Sequence, residues 1–284
     1  MLVVEQVSDL RVLVKSWKQA GLSVGFVPTM GNLHQGHLTL VEIAQSKCDR
    51  VIASIFVNPM QFGPDEDFDR YPRTFSDDSA KLAALSIDAI FVPSVAEMYP
   101  SGISQTVVSV PESITDLLEG ASRPGHFDGV STVVAKLFNM VQPDVAVFGQ
   151  KDYQQLLVIQ QMVLELAMPI EIVAAPIARD TDGLALSSRN QYLSAEQRQI
   201  APMLNVSLQN IALALESGNR DYTALAATAT EQLLAEGFDA VDYIQICDPA
   251  TLTLSDPSDQ SFVILTVARL GNTRLLDNLL LTSV

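Results

Sequence analysis

Ser23-Val24-Gly25-Phe26-Val27-Pro28-Thr29-Met30-Gly31-Asn32-Leu33-His34-Gln35-Gly36-His37 decides the reading of this chain. Its first six residues are largely apolar without alternation, as in a strand covered on both faces. Leu38–Cys48 then reads as an amphipathic helix. The order is therefore strand, glycine-containing loop, helix. In an open parallel sheet, ligands bind beyond the carboxyl ends of the strands. A helix N-terminus at that place offers unpaired N–H groups and partial positive charge to a phosphate. Gly31 and Gly36 allow a sharp turn and close approach of the backbone. His34 and His37 are three apart, so both can present nitrogens to one anion.

Outward from this segment the same alternation continues. Val51–Val57, Ala89–Pro93, Asp144–Phe148 and Ile170–Pro176 read as further strands, and Thr106–Val110 as a possible extra one. Asp77–Ser86, Gly129–Val141 and Tyr153–Ala167 read as helices between them. The pattern predicts an α/β fold with a Rossmann-like, doubly wound, mostly parallel sheet. Near Ala178 it changes. Arg179–Leu193 is polar and irregular, and a long helix is expected from Ser194, where Ser194 and Gln197 have capping-box spacing. A helix over Tyr222–Gly237 and strands over Asp242–Cys247 and Phe262–Leu270 follow. The expected domains are residues 1–177 and a smaller α/β domain over 178–284.

Composition narrows the class. The 284 residues are 48% hydrophobic, enough for a well-buried core, and carry a formal net charge of −16. Such a chain has no global attraction for nucleic acid. An anionic ligand must therefore be held by local groups. Charges or prolines interrupt every long apolar run, which argues against a membrane span. Glu5 and Asp9 come too early for a secretory signal. Cys48 and Cys247 have no metal-like spacing and suit a reducing cytoplasm. The Asn205-Val206-Ser207 acceptor pattern is accordingly read as chance.

Three further segments fall at predicted strand ends or the domain boundary. They are Phe56–Gly63, Phe148–Asp152 and Leu186–Asn190. A helix start, Lys151 and the Ser187-Ser188-Arg189 loop together make a triphosphate clamp. Each has a bland counterpart. A lone lysine is more often a surface residue, Asn58-Pro59 is an ordinary loop signal, and serines cap and turn. Two histidines three apart could bind metal, but no third ligand or zinc pattern accompanies them. Arg123-Pro124-Gly125-His126 holds the third histidine.

His34-Gln35-Gly36-His37 resembles the motif of HIGH-type nucleotidyltransferases, which attack the α-phosphate of ATP and release pyrophosphate. Pro28–His37, Phe56–Gly63, Arg123–Gly129, Phe148–Gln155 and Ala185–Leu193 together resemble the pantothenate synthetase (pantoate–β-alanine ligase) family. That resemblance implies a two-step reaction in which pantoate and Mg²⁺-ATP give pantoyl-adenylate, which β-alanine then attacks. It implies ATP contacts from Met30, Gly31, Asn32, Leu33, His34, Gln35, Gly36, His37, Gly149, Gln150, Lys151, Asp152, Ala178, Leu186, Ser187, Ser188 and Arg189. His37 becomes the proton donor or charge stabiliser, with His34, Lys151 and Arg189 beside it in catalysis. Gln61 would touch pantoate and β-alanine, and Gln155 pantoate. Asp77 and Asp78 fall where the family suggests a magnesium-side carboxylate, but they also read as an acidic helix start, the reading favoured here; the metal ligands stay unknown. The family further implies a homodimer and a C-terminal domain acting as a lid. The competing functions are another HIGH-type adenylyltransferase and a non-catalytic nucleotide sensor. The short, acidic chain, in which no anticodon-binding module is read, argues against an aminoacyl-tRNA synthetase.

Overall fold

The computed structural model describes residues 1–64, 66–103 and 105–282. They form two compact units. The first is Met1–Gln150 with Gln154–Pro176, the second Lys151–Tyr153 with Ile177–Val284.

In chain order the first unit contains β1 (Leu2–Val4), α1 (Val7–Gln19), β2 (Val24–Thr29), α2 (Gln35–Lys47), β3 (Arg50–Ile55), α3 (Phe75–Ala84) and β4 (Ala89–Phe91). Three short helices follow, α4 (Val95–Met98), α5 (Glu112–Thr115) and α6 (Leu118–Ser122). Then come α7 (His126–Val141), β5 (Val145–Gly149), α8 (Tyr153–Glu165) and β6 (Glu171–Ala175). The six strands are parallel in the order β1-β4-β3-β2-β5-β6. The chain steps from β2 outward through β3 to β4, then returns to place β5 on the other side of β2. That reversal opens a crevice between the carboxyl ends of β2 and β5.

Alternation along the strands explains why both sheet faces are covered. Phe26, Ile52 and Phe148 point into one core with Leu10 and Val14 of α1, Phe138 of α7 and Ile159 of α8. Val27, Val51, Ala53 and Val147 point into the other, with Val41 and Ala44 of α2 and Leu82 of α3. The doubly wound expectation therefore holds. Aspartates close the opposite, amino edge. Asp144 Oδ2 accepts from Val24 N at 2.7 Å, and Asp88 Oδ2 from Val51 N at 2.8 Å.

Thr106–Val110 is not a strand. Side chains of α7 take its backbone hydrogen bonds instead, as Val108 N donates to Thr132 Oγ1 and Ser131 Oγ donates to Val108 O. Residues 1–22, given no elements from the sequence, supply β1 and α1. β1 has only three residues, and α1 buries just Leu10 and Val14 fully.

The second unit holds α9 (Ala195–Ile200), α10 (Met203–Glu216), α11 (Tyr222–Ala235), β7 (Ala240–Cys247), β8 (Phe262–Leu270) and β9 (Thr273–Leu281). The strands form an antiparallel sheet in sequence order. Leu204, Leu208 and Ile211 of α10 and Leu233 of α11 pack with Phe262 and Ile264 of β8. The helix expected from Ser194 is two helices. Pro202 has no N–H to continue the first, so α9 ends and α10 begins around it. β9 was not expected. Leu270 pairs with Thr273, leaving Gly271-Asn272 as a two-residue hairpin loop, and Gly271 has φ 57°. Among the described residues no helix is long and apolar enough to cross a membrane.

The capping box at α9 is present, with Ser194 Oγ accepting from Gln197 N at 3.2 Å and Gln197 Oε1 from Ser194 N at 3.0 Å. Ser194→Ala is expected to lower the unfolding free energy by about 1 kcal/mol. Urea titration checks this, and an unchanged midpoint would show that the cap contributes nothing.

Candidate active site

The loop leaving β2 turns sharply because Gly31 (φ 84°) and Asn32 (φ 50°) both adopt left-handed conformations. Thr29 Oγ1 donates to Ser54 O at 2.7 Å and accepts from Gly31 N at 3.2 Å. The next two amides are taken by one buried carboxylate on α3. Asn32 N and Leu33 N donate to Asp78 Oδ2 and Oδ1 at 2.8 and 2.7 Å, and Thr74 Oγ1 adds a third bond. Lys81, one turn further along α3, donates to Leu33 O at 2.6 Å. Asp78 thus starts a helix, as its sequence position suggested, and also holds the loop.

α2 begins at Gln35, so His34 is its cap and His37 lies in its first turn. The two rings lie 4.1 Å apart. His34 N donates to His37 Nδ1 at 3.3 Å. An accepting Nδ1 leaves the neutral ring's proton on Nε2, so His37 is set up as an Nε2–H donor. Met30–His37 therefore occupies the carboxyl end of β2. Gly149 and Gln150 leave β5 at the other side of the same crevice.

Gln61 closes a short turn, Pro59–Gln61, after β3. Its Nε2 lies 3.4 Å from Met30 Sδ, which brings this turn to the β2 loop. α7 packs directly on the turn, and a Cβ on Gly129 would collide with Met60 O. Arg123 and His126 anchor it from the other side. His126 Nδ1 lies 2.8 Å from Gln61 O, and Arg123 donates to the same carbonyl at 3.2 Å. Arg123 is itself held by both carboxylate oxygens of Glu66. Gln61 O can only accept, so His126 Nδ1 carries the proton and Nε2 accepts from Arg123 at 3.0 Å. Burial, then the Arg123 charge, lowers the His126 pKa to about 4. These roles were not visible in the sequence, since the partners of His126 and Arg123 lie about sixty residues away.

The adjacent glutamines on α8 differ. Gln154 is buried, with its amide spent on Glu119 N, Ile114 O and Leu117 O. Gln155 is only half-buried. The sequence reading picked the second, and Gln154 is a structural brace.

The remaining expected residues lie in the second unit. Lys151, Asp152, Ser187, Arg189 and Asn190 line an open cleft with Arg274 and Asp277 of β9. Ala178 O accepts from Leu186 N at 2.9 Å, closing the 178–186 loop. Ser187 Oγ accepts from Arg189 N and starts the turn Ser188–Tyr192, so it caps as a bland serine would while also lining the cleft. β9 supplies the support. Asn278 Nδ2 donates to Lys151 O at 2.8 Å, and Asp277 binds Arg179 through both oxygens at 2.6 and 2.9 Å. Burial raises the Asp277 carboxyl above its usual range, against the opposing pull of Arg179. Among the described residues no group of three or more His, Cys, Asp or Glu is arranged to hold a metal.

A family model described as pantoate-beta-alanine ligase matches residues 2–280. The chain belongs to the pantoate-beta-alanine ligase family. It is 60% identical over 282 residues to the pantothenate synthetase of Hydrogenovibrio crunogenus, covering 99% of this chain and 100% of that one. Identity to the enzyme of Ectopseudomonas mendocina is 55% over 281 residues, covering 99% and 98%. The crystal structure of the Thermus thermophilus pantothenate synthetase superimposes with a TM-score of 0.91 at 46% identity, over 98% of this chain and 99% of that one. The Francisella tularensis pantoate-beta-alanine ligase, solved in complex with beta-gamma ATP and beta-alanine, has a TM-score of 0.82 at 35% identity, over 99% and 97%.

Two measurements test the site's architecture. Asp78→Asn keeps the shape but opposes one loop amide with an NH₂ group. Hydrogen bonds to a charged acceptor contribute about 1.5–3 kcal/mol, so exchange of the Asn32 and Leu33 amides should quicken roughly ten- to a hundredfold; unchanged protection would remove Asp78 from this role. His126 gives a pH signature. Its folded pKa lies below the ordinary value of 6.5, so between pH 6.5 and 4 the unfolded chain binds a proton that the folded protein does not. Its contribution is intact above that window and falls on acidification, by up to about 1.4 kcal/mol per pH unit. Stability of His126→Gln should fall less steeply than wild type from pH 6.5 to 4.5; parallel curves would contradict the assignment.

Proposed function

We propose that this protein ligates pantoate to β-alanine with ATP, giving pantothenate, AMP and pyrophosphate through a pantoyl-adenylate. The observation that carries this reading is the full-length likeness to pantothenate synthetases, at identities up to 60% among those compared. The geometry supports it. The α2 N-terminus and the His37 Nε2–H donor suit a phosphate, and the Gln61 amide beside Met30 suits the acyl substrate. Neither a nucleotide sensor nor another adenylyltransferase needs that second polar site.

In this reading His37 stabilises charge at the transferring phosphate, with His34 beside it. Met30–His37, Gly149–Asp152, Ala178 and Leu186–Arg189 contact ATP. Lys151 and Arg189 neutralise the triphosphate, a task made necessary by the acidic chain. Gln61 binds pantoate and β-alanine, and Gln155 pantoate. The pantoate carboxylate attacks the α-phosphate, pyrophosphate leaves, and the β-alanine amine then displaces AMP from the mixed anhydride. Mg²⁺ enters with ATP, usually keeping several waters and binding through the phosphates. We assign the smaller unit the role of a lid that keeps water from the adenylate.

A cytoplasmic setting is supported by the free thiols of Cys48 and Cys247. A homodimer is supported by Gln105–Ser109. Val108 spends its backbone bonds on α7, while Val107 and Ser109 on either side of it are exposed. An exposed segment of that kind is open to contact with a second copy.

The purified protein should exchange labelled pyrophosphate into ATP with pantoate and Mg²⁺, without β-alanine. His37→Ala should lower this exchange by roughly a hundred- to a thousandfold while folding normally. Exchange that requires β-alanine, or formation of ADP, would overturn the adenylate mechanism.

A further inference from the structure

Asn58 stands between the Pro59–Gln61 turn and α7 and is 1% exposed. Two backbone groups read its amide from opposite sides. Met60 N, which can only donate, lies 3.2 Å from Asn58 Oδ1. Gly129 O, which can only accept, lies 3.1 Å from Nδ2. The amide therefore has one permitted orientation, because the flipped form would set donor against donor and acceptor against acceptor.

The consequence passes to Gln61. Asn58 Nδ2 also donates to Gln61 Oε1 at 3.1 Å. The Gln61 oxygen is thereby occupied, and Nε2 faces outward. Its protein neighbour on that side is the Met30 thioether at 3.4 Å, a weak acceptor that a carboxylate or hydroxyl oxygen outcompetes.

A third group completes the chain. Tyr99, at the end of α4, is 3% exposed and lies against Phe56. Its hydroxyl is 2.6 Å from Asn58 Oδ1. That oxygen only accepts, so the phenol donates. Burial raises its pKa, keeping the donating proton in place at working pH. Without the phenol, Asn58 Oδ1 keeps only the longer bond from Met60 N, so the amide holds its orientation less firmly.

We propose that Tyr99 is a positioning residue for substrate binding, whose hydroxyl locks Asn58 so that Gln61 presents its Nε2 donor and selects ligand groups that accept hydrogen bonds. The proposal rests on the reading of Gln61 as a substrate contact. Tyr99 is buried and acts through two side chains.

The test compares steady-state constants of Tyr99→Phe, Gln61→Ala, Gln61→Glu and the Tyr99→Phe/Gln61→Ala double variant, with melting temperatures for each. Phe fills the same volume, so Tyr99→Phe should fold. Its KM for pantoate should rise about three- to tenfold, the worth of one neutral hydrogen bond, with the KM for ATP unchanged. In the Gln61→Ala background Tyr99→Phe should add nothing to that KM. A merely structural tyrosine would instead act equally in both backgrounds and on both substrates. Gln61→Glu should bind pantoate no better than Gln61→Ala, since it replaces the outward donor by an acceptor. Tolerance of Gln61→Glu, or equal effects of Tyr99→Phe in both backgrounds, would overturn the proposal. An impaired Gln61→Ala beside a Tyr99→Phe with wild-type constants overturns it alone. A Gln61→Ala with wild-type pantoate KM removes the substrate role of Gln61 and the proposal with it.

Discussion

The carboxylate of Asp78 is the interaction on which the rest of the first unit's site depends. The chain must leave β2, reverse through two left-handed residues and enter α2 within six positions. Backbone amides stranded in such a turn need acceptors, and water cannot reach buried ones. One carboxylate supplies two of them, and Lys81 on the same helix answers the carbonyl of Leu33. With the turn fixed, the start of α2 and its two histidines are fixed as well. The Met30 side chain then meets Gln61, and through Gln61 the loop is coupled to Asn58, α7 and Arg123.

This arrangement reconciles an acidic protein with an anionic ligand. A net charge of −16 would repel a triphosphate at long range. The carboxyl end of β2 carries a helix start and two histidines, while the carboxylates of Asp78 and Glu66 are spent on backbone amides and on Arg123. The positive side chains of Lys151, Arg189 and Arg274 line one cleft in the second unit.

Much of this was legible in the sequence, for a physical reason. Continuous apolar strands and amphipathic helices encode local periodicity, so β2–β6 and the helices α2, α3, α7, α8 and α11 could be placed within a few residues, whereas α1 was not seen. Three of the motif segments, Pro28–His37, Phe56–Gly63 and Phe148–Gln155, announced themselves because each lies at the end of a strand. Support was not legible. Asp78 reaches a loop 45 residues earlier, Tyr99 reaches Asn58 across 41, and Arg123 reaches Glu66 across 57. No local pattern encodes such pairs. β1 was too short to stand out, and β9 was missed although Gly271-Asn272 is a hairpin signal. The long helix expected from Ser194 failed because the capping box outweighed a proline eight residues on.

The bond from Asn278 to the Lys151 carbonyl spans 127 residues. During synthesis the first unit's sheet is complete once β6 has emerged, long before β9 exists. At ribosomal speeds of about 5–20 residues per second, Lys151 waits roughly 6–25 s for its anchor to be made. Lys151 is thus anchored late. A nascent chain can hold a folded sheet while the cleft around Lys151 is still unfinished.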